Sequence, residues 1–429
     1  MNVGIVFLIF FALLALGIPI SIAMGFTCLS VVWFTPNIMA DMPFVFRNMV
    51  ASLDTYSLIA VPLFILSGNI MARGGISKKL FSFFAYFIGK LPGGMPAAAV
   101  VTCLFYGAIS GSAPATVAAV GAMTIPLLME LGYDKVYVTG LVTVAGSLGV
   151  IIPPSIPFIM FGLSSGESVG ALFKAGVLPG ILIGVFLIAF STFHCIRNGE
   201  DREKLEANYN ELHAKGFWNL VKDSIWALLT PVIILGGIYG GVVTPTEAAC
   251  FSVVYAFIVS FFVYRTFTWK DIPSVLRDTV KTDASIMLVV AAASLFGRLL
   301  TLLGAPQQIA GFITSLSTDK IVVLLIINVF LLIVGMLMET TAAILILTPI
   351  LVPIVKVLGV NPIHFGVIMI VNLAIGFVTP PVGVDLYVAS GMTGIPVMKI
   401  AKAAMPYMIA FILALLVITF VPGLSLALT

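Results

Sequence analysis

Two stretches of this sequence place paired prolines inside an apolar run: Gly146-Ser147-Leu148-Gly149-Val150-Ile151-Ile152-Pro153-Pro154-Ser155 and Ala374-Ile375-Gly376-Phe377-Val378-Thr379-Pro380-Pro381-Val382-Gly383-Val384-Asp385. Proline lacks the amide hydrogen that a helix needs, and it moves the preceding residue out of the helical conformation. The stretches therefore predict two broken helices, over about 136–163 and 363–390. Moving the second half back by 227 residues aligns Gly149 with Gly376 and Pro153-Pro154 with Pro380-Pro381. An internal duplication is the simplest explanation.

Further matches support this duplication. The same shift aligns Pro126 with Pro353 and Leu131-Gly132 with Leu358-Gly359, and a slightly different one aligns Gly68 with Gly297 and Gly75 with Gly304. Each half also contains an apolar run with a polar break, at Ser110 to Pro114 and at Met338 to Thr341. The arms beside these breaks have about 17 residues, the lower limit for a membrane span. We therefore predict re-entrant helical hairpins over 95–130 and 321–357, with two separate crossings as the alternative.

The composition is that of a polytopic membrane protein. Of 429 residues, 61% are hydrophobic and 9% are charged, whereas soluble domains carry roughly 25% charged residues. This composition argues against soluble enzymes and nucleic-acid binders, and the small net charge of +3 carries no information about nucleic acid. The four cysteines have no metal-ligand spacing. The apolar runs lie at about 3–35, 56–72, 81–90, 95–130, 136–163, 171–196, 224–264, 284–302, 308–317, 321–357, 363–390 and 403–424.

These runs divide the chain into two repeats. We predict repeat 1 over 1–196, a polar cytoplasmic linker over 197–223, and repeat 2 over 224–429. Within repeat 1 we expect scaffold helices over 3–90, a hairpin over 95–130, a broken helix over 136–163 and a helix over 171–196. Within repeat 2 we expect scaffold helices over 224–302, a hairpin over 321–357, a broken helix over 363–390 and a terminal helix over 403–424. The start of the chain is expected to be the first retained helix and not a signal peptide, because no basic region precedes it. Glycines and prolines inside the runs 3–35 and 224–264 predict that each of these runs forms two helices.

The number of crossings predicts that the two repeats are inverted relative to each other, an arrangement typical of secondary transporters. If the first hairpin enters from the cytoplasm, the basic residues that fall on the other side are Arg47, Lys174, Lys320 and Lys356. Arg298 falls within a span, and the other basic residues, Lys215 among them, fall on the cytoplasmic side. This distribution satisfies the positive-inside rule. Both termini are then predicted to lie outside the cytoplasm.

Broken helices leave backbone groups unpaired, which hydrocarbon does not tolerate, so the breaks predict bound ligands. Carbonyls and hydroxyls suit a hard cation, and we predict two or more sodium ions. The first helix turns after Ser112 and Thr340 carry positive partial charge, which favours an anion. The predicted sodium ligands are Ser110, Ser112, Gly149, Ile152, Pro154, Met338, Thr341, Gly376, Thr379 and Pro381. The predicted substrate-binding residues are Arg298, Asp385, Ser112, Ser155 and Thr340.

Ionisable residues at membrane depth are costly unless they are paired or hydrated, which makes them functional candidates. Arg298 suits a substrate carboxylate, and an ion pair that fixes two helices is the alternative. Asp385 could bind a hydroxyl, an amine or sodium, or it could pair with Arg298. Glu339 and Glu247 are predicted to cap helix N-termini, with direct contact to ligand as the alternative.

Enzymatic motifs are missing from the sequence. Gly162-Leu163-Ser164-Ser165-Gly166 matches the nucleophile-elbow pattern, but it ends a membrane helix and has no histidine nearby in the sequence. The three histidines are isolated, and no phosphate-cradling Gly-Lys-Ser loop is present. We therefore predict neither catalysis nor an organic cofactor.

At four stretches the chain resembles the large membrane subunit of tripartite ATP-independent periplasmic (TRAP) transporters. These stretches are Gly107 to Thr116, Gly240 to Ala249, Gly304-Ala305-Pro306-Gln307-Gln308 and Thr379-Pro380-Pro381-Val382-Gly383. The resemblance implies an elevator-type carrier of the ion-transporter superfamily in the bacterial inner membrane. It also implies a separate small four-helix membrane subunit and a periplasmic substrate-binding protein that delivers an organic acid. The overall match is similar to the sialic-acid branch, whose cargo is N-acetylneuraminate.

The leading hypothesis is therefore sodium-coupled import of an organic acid, first of all sialic acid. One alternative is a stand-alone sodium/dicarboxylate carrier of the same architecture. Another is a TRAP importer of a C4-dicarboxylate or a different sugar acid. An ion channel would need a continuous polar stripe along its pore, which the isolated breaks do not supply.

Overall fold

The computed structural model describes residues 2–35, 40–214, 216–316 and 319–429, with the side chains of 310 and 312–316 left aside. Within these ranges the chain forms helices and no strand. Lys215, which belongs to the predicted cytoplasmic basic residues, lies outside the described part.

The first half of the chain forms ten α-helices. They are α1 (Val3–Ala15), α2 (Ile20–Phe34), α3 (Met42–Leu53), α4 (Ala60–Arg73), α5 (Ile76–Ile88), α6 (Gly94–Ser110), α7 (Ala113–Glu130), α8 (Lys135–Gly146), α9 (Ile156–Ser165) and α10 (Val169–Asn198). Short 3-10 turns precede α4 at Tyr56–Ile59 and follow α8 at Ser147–Val150. Helix α3 was not among the predicted runs. It begins where the Asp41 carboxylate accepts from the Phe44 amide at 2.8 Å, and Val45 is its one buried residue. A helix with so little buried surface gives a weak apolar signal.

The second half forms eleven α-helices. They are α11 (Arg202–Ala214), α12 (Phe217–Tyr239), α13 (Pro245–Ile258), α14 (Ile272–Leu302), α15 (Ala305–Leu316), α16 (Lys320–Leu337), α17 (Thr340–Val357), α18 (Pro362–Gly376), α19 (Val384–Thr393), α20 (Val397–Phe420) and α21 (Gly423–Leu426). Helix α13 continues into a π-helical turn at Val259–Val263. Helix α11 lies inside the predicted linker, where Leu205 is buried against α5.

The segment before α11 is bonded to the first hairpin. Both carboxylate oxygens of Glu200 accept from the Gly93 amide at 3.1 Å, and the Tyr133 hydroxyl donates to the same carboxylate at 2.5 Å. Gly93 directly precedes α6, and Tyr133 lies between α7 and α8. The connection between the halves therefore starts from a fixed point on the hairpin.

Nine helices of the described residues are long and apolar enough to cross a membrane. They include α14, which has 31 residues and a mean hydropathy of 1.9 over its apolar window, and α16, with 18 residues and 2.8. Large apolar side chains are exposed on the outside of the protein, such as Leu8, Trp33 and Phe193. A bilayer is the solvent that accepts such a surface.

The two halves have the same succession of elements. In each, a hairpin (α6–α7 and α16–α17) is followed by a broken helix (α8–α9 and α18–α19) and a long helix (α10 and α20). The Pro153-Pro154 and Pro380-Pro381 bonds are both cis, and both lie between the two parts of a broken helix. The opposite orientation of the repeats in the membrane stays a prediction.

The helices pack as two groups. One group contains the hairpins, the broken helices, α10 and α20; α8 packs on α20, and α16 on α18. The other contains α1–α4 and α12–α14, which we call the scaffold; α5, which lies in the predicted scaffold range 3–90, packs on both groups, against α6 and α7 of the first hairpin and against α12. Helix α14 joins the groups, because it packs on α2, α3 and α4 on one side and on α17 of the second hairpin on the other.

Candidate ion and substrate site at the hairpin tips

The first hairpin turns at Gly111 and Ser112. Gly111 has a φ of 61°, in the left-handed region that a side chain would strain. The Ser110 hydroxyl lies 2.9 Å from the Thr116 hydroxyl, which donates to the Ser112 carbonyl at 2.8 Å. Predicted sodium ligands Ser110 and Ser112 thus belong to one oxygen cluster with Thr116. Sequence analysis missed Thr116, although it stands four residues after Ser112 and so on the same side of the first helix turn.

The first broken helix packs directly on this tip. A Cβ placed on Gly149 would lie 2.8 Å from the Ser112 carbonyl oxygen, and a Cβ on Gly111 would lie 2.7 Å from that of Pro154. Predicted ligands Gly149 and Pro154 therefore do meet the tip of the hairpin. Ser155 is buried, and its hydroxyl donates to the Val150 carbonyl at 2.5 Å. Ser155 therefore stabilises the unwound part of the first broken helix. It does not line the cavity described below.

Ile152, the remaining predicted ligand of this half, is nearly buried, and its side chain packs on Gly180 of α10. Only its backbone carbonyl could serve a cation, since the side chain has no donor atom.

The second hairpin turns at Met338 and Glu339. Glu339 caps α17, since its carboxylate accepts from the Ala342 amide at 3.0 Å and from the Thr341 hydroxyl at 2.7 Å. At α13 the N-cap is Thr244, and Glu247 three residues later completes a capping box by accepting from the Thr244 amide at 2.7 Å. The prediction that both acids cap helices agrees with these contacts. Thr340 and Thr341 are buried at this tip.

The second broken helix lies against this hairpin. The Val382 amide donates to the Met336 carbonyl at 3.3 Å, and the Thr379 hydroxyl donates to the Ile375 carbonyl at 2.7 Å. Of the predicted ligands, Gly376 ends α18, and Thr379 and Pro381 lie in the unwound segment after it, which adjoins the hairpin.

A glycine pair brings the hairpin arm and the broken helix into contact in each half. A Cβ on Gly107 would lie 2.7 Å from the Cα of Gly149. In the second half, Gly335 and Gly376 form the equivalent contact, where a Cβ on Gly376 would collide with the Gly335 backbone. Each break is therefore held against its own hairpin by backbone contact, which only glycine permits.

Asp385 is fully buried between the two broken helices. The Ser147 hydroxyl donates to its Oδ2 at 3.1 Å, and no described group bonds to its Oδ1. The contact joins α19 to the 3-10 turn after α8. No ion pair forms between Asp385 and Arg298 among the described residues, and neither residue lines the cavity at the tips. The structure therefore does not bring these two predicted substrate residues together.

Both tips open onto one cavity of about 490 Å³, which we call the tip cavity. Its walls include Ser112, Thr340 and Thr341 from the tips and, facing them, Lys281 and Ser285 from α14. Helices α7 and α17 begin at this wall; the positive N-terminus of α7 has no side-chain cap, whereas the Glu339 carboxylate, which also lines the cavity, caps α17. Lys281 is its one cationic lining residue in the described part of the chain.

Lys281, Thr282 and Ser285 were missed as site residues. Lys281 was counted with the cytoplasmic basic residues because it precedes the apolar run at 284–302. Its position inside α14, four residues before Ser285, could have placed both on one helix face. What the sequence could not show is that this face meets the hairpin tips.

Comparison with known protein families assigns the chain. The family described as the DctM component of the tripartite ATP-independent periplasmic transporter matches residues 7–424. The chain belongs to this family. Its members are transport permeases and not enzymes, and the TRAP resemblance of the four sequence stretches is confirmed.

Relatives of this permease differ in the substrate that their names give. An isethionate TRAP permease of Oleidesulfovibrio alaskensis is 43% identical over 97% of this chain, which spans 65% of that protein's length. A C4-dicarboxylate large permease of Rhodobacter capsulatus is 35% identical over 100% of this chain and 99% of its own. A sialic-acid large permease of Vibrio cholerae is 33% identical over 97% of this chain and 96% of its own.

The fold of the permease is also that of a known transporter. The crystal structure of the Alcanivorax borkumensis YdaH transporter matches with a TM-score of 0.65, over 95% of this chain and 99% of that one. The two sequences are 16% identical, so the match concerns the fold alone. An all-helical, multi-pass membrane architecture is thereby confirmed.

Proposed function

We propose that this permease imports an organic acid across the bacterial inner membrane, driven by sodium. It does so with a small four-helix membrane subunit and a periplasmic binding protein that delivers the substrate. The membership in the TRAP family supports this composition of the complex. Both termini of the chain face the periplasm in this proposal.

The observation that carries the proposal is the tip cavity. Two hairpin tips, the positive ends of α7 and α17 and the cation of Lys281 all meet there. The charged amine of Lys281 and the uncapped N-terminus of α7 favour an anion, while the Glu339 carboxylate in the same wall already occupies the N-terminus of α17. The cavity walls are otherwise mostly apolar, which strengthens each of these electrostatic contacts.

Sodium occupies the two places where a hairpin tip meets its broken helix. At the first, the oxygens of Ser110, Ser112 and Thr116 lie together beside Gly149. At the second, Thr341, Gly376 and Thr379 supply the corresponding oxygens. Hard cations prefer such oxygen ligands, and an unwound backbone inside a membrane protein needs them. Cation sites beside the anion link the energy of the sodium gradient to substrate uptake.

Sialic acid is the proposed cargo. A C4-dicarboxylate carries two carboxylates, yet the described lining of the tip cavity holds one cation, Lys281. Hydroxyls are more plentiful: the lining includes Ser112, Thr282, Ser285, Thr340 and Thr341. One cation with several hydroxyls suits a carboxylated compound that carries hydroxyl groups of its own. N-acetylneuraminate has this chemistry, and the name of the Vibrio cholerae relative supports it.

Transport follows an elevator mechanism. The hairpins, the broken helices, α10 and α20 move with ions and cargo as one unit, and the scaffold stays fixed. The position of the tip cavity between both hairpins and scaffold helix α14 supports this division, because a moving unit must carry the ion ligands and slide along a fixed surface.

The proposal is tested by reconstitution into liposomes. The purified permease, the small subunit and the binding protein are combined with N-acetylneuraminate, succinate or isethionate, with and without an inward sodium gradient. We expect accumulation of N-acetylneuraminate only when all three proteins and the gradient are present. Uptake that ignores sodium would refute the coupling, and uptake of succinate instead would reassign the cargo to C4-dicarboxylates.

The second candidate is a stand-alone sodium/dicarboxylate carrier with the same architecture. It predicts uptake by this chain without either partner. The same reconstitution, performed with the permease alone, separates the two hypotheses.

A further inference from the structure

A second polar cavity lies at the opposite end of α14. It measures about 340 Å³, and Arg298 is the one cation in its described lining. Hydroxyl-bearing residues from four segments surround this guanidinium: Ser52, Thr55, Ser164, Ser294 and Thr301. Arg298 is exposed, and no ion pair joins its guanidinium to a carboxylate of the described residues. We call this space the Arg298 cavity.

The polar groups of this cavity are not all satisfied by the protein. The Ser52 hydroxyl donates to the Met49 carbonyl and that of Thr301 to the Gly297 carbonyl, at 2.8 and 2.9 Å. The buried Thr55 hydroxyl, by contrast, has no partner among the described residues. A guanidinium offers five N–H donors in a planar fork that matches a carboxylate. The Thr55 hydroxyl has no hydrogen-bond partner and Arg298 has no carboxylate partner among the described residues. A ligand with several acceptor oxygens would satisfy both.

The Arg298 cavity and the tip cavity follow one another along the same three helices. On α14, residues between 281 and 289 line the tip cavity, and residues between 290 and 301 line the Arg298 cavity. On α17 the tip cavity takes Thr340 and Thr341, and the other takes Leu345 and Pro349. On α9, too, the residues that line the tip cavity precede those that line the Arg298 cavity. Helices α14 and α17 pack on each other, and in the wall of the Arg298 cavity a Cβ on Gly297 would lie 3.3 Å from Pro349.

The Arg298 cavity also lies toward the side where delivery takes place. Ser164 in its wall precedes Glu167, which pairs with Lys356 at 3.5 Å, and Lys356 is predicted to be periplasmic. Lys281 and Arg298 stand 17 residues apart, about 25 Å along a helix. One scaffold helix therefore carries a cation at each cavity.

We propose that the Arg298 cavity is a second binding site for the transported organic acid, between scaffold helix α14 and the moving unit, on the periplasmic side. The guanidinium binds the carboxylate of the cargo released by the binding protein, while the surrounding hydroxyls bind its polar groups. The hairpin tips then take the cargo from this site. The inference rests on the proposed function, since it assigns the same cargo to a second place.

The test compares the two cavities within one complex. Of the four described cysteines Cys250 alone is exposed, so Cys250→Ser gives a background without a reactive thiol. Ser294→Cys then reports on the Arg298 cavity, and Ser285→Cys reports on the tip cavity. The permease with its small subunit is placed in nanodiscs and labelled with a water-soluble maleimide, with and without N-acetylneuraminate. We expect the cargo to slow labelling at both positions.

Adding Arg298→Met to each reporter separates the sites. We expect loss of protection at position 294 and retained protection at 285, while Arg277→Met, on the same helix but outside both cavities, retains both. Protection at 285 without protection at 294 overturns the second site and leaves the proposed function standing. Protection at neither position overturns the proposed function itself.

Transport provides a second readout. Arg298→Met should raise the concentration of loaded binding protein for half-maximal uptake at least about tenfold, which corresponds to about 1.4 kcal/mol. Arg298→Lys keeps the charge but loses the planar fork, so its half-maximal concentration of loaded binding protein should lie between those of the unchanged protein and Arg298→Met. Because Arg298→Lys preserves charge and length, it also carries the test if Arg298→Met does not assemble with the small subunit. Unchanged uptake in both variants contradicts the inference.

Discussion

Replacing Gly107 by alanine should push the first hairpin away from its broken helix. The new Cβ would lie 2.7 Å from the Gly149 Cα and 3.3 Å from the Leu148 carbonyl oxygen, and ordinary contact begins near 3.4 Å. Both neighbours are backbone atoms and cannot rotate aside, so the segments must separate by roughly 0.7 Å, and overpacking of this kind costs about 1–3 kcal/mol. Ligand sites tolerate displacements of only about 0.5 Å, so the oxygen cluster beside Gly149 should also lose sodium affinity.

The measurements are the thermal unfolding midpoint of the purified complex and the sodium dependence of uptake in liposomes. Gly236→Ala is the matched control, because it lies inside α12 with no atom within 4 Å of the position that the new methyl group would take, and alanine there should stabilise the helix by up to about 1 kcal/mol. We expect Gly107→Ala to unfold earlier and to need more sodium. If it unfolds like Gly236→Ala and keeps the original sodium curve, the glycine contact does not shape the ion site.

Three further outcomes are expected. Asp385→Ala should destabilise the protein by about 1–3 kcal/mol, because the buried Ser147 hydroxyl loses its acceptor, whereas Asp385→Asn retains one; equal unfolding midpoints would contradict this. Thr116→Val should raise the sodium concentration for half-maximal uptake and Thr116→Ser should not, and identical curves would leave the hydroxyl with a packing role alone. Lys281→Met should weaken substrate uptake about tenfold in apparent affinity at unchanged sodium dependence, while Arg277→Met serves as its control.

The breaks in the helices could be predicted from local sequence. Paired prolines cannot continue a helix, so Pro153-Pro154 and Pro380-Pro381 locate the unwound segments to within a few residues. Acids at the first turn of a helix have a well-known local role, and the capping positions of Glu339 and Glu247 follow from it. These features depend on neighbours in the chain, which a sequence displays directly.

Contacts between distant segments could not be predicted in the same way. Arg298 and Asp385 are both ionisable at membrane depth, but their charges do not say which neighbours they face. The structure places Asp385 beside Ser147 and Arg298 in a cavity of its own. Lys281, by contrast, was not predicted as a site residue, because a charged residue at the edge of an apolar run resembles one at the membrane boundary. Its role depends on the rotation of α14 against the hairpins, which the sequence does not fix.

The attachment of Glu200 to Gly93 and Tyr133 bears on how the two halves are joined by the chain. A connecting segment that is hydrogen-bonded at one end can change its conformation only beyond those bonds. If the first hairpin moves during transport, Glu200 moves with it. The backbone must then change its conformation after α11, toward the start of α12. The covalent connection between the two halves is thus attached to the first hairpin at its N-terminal end.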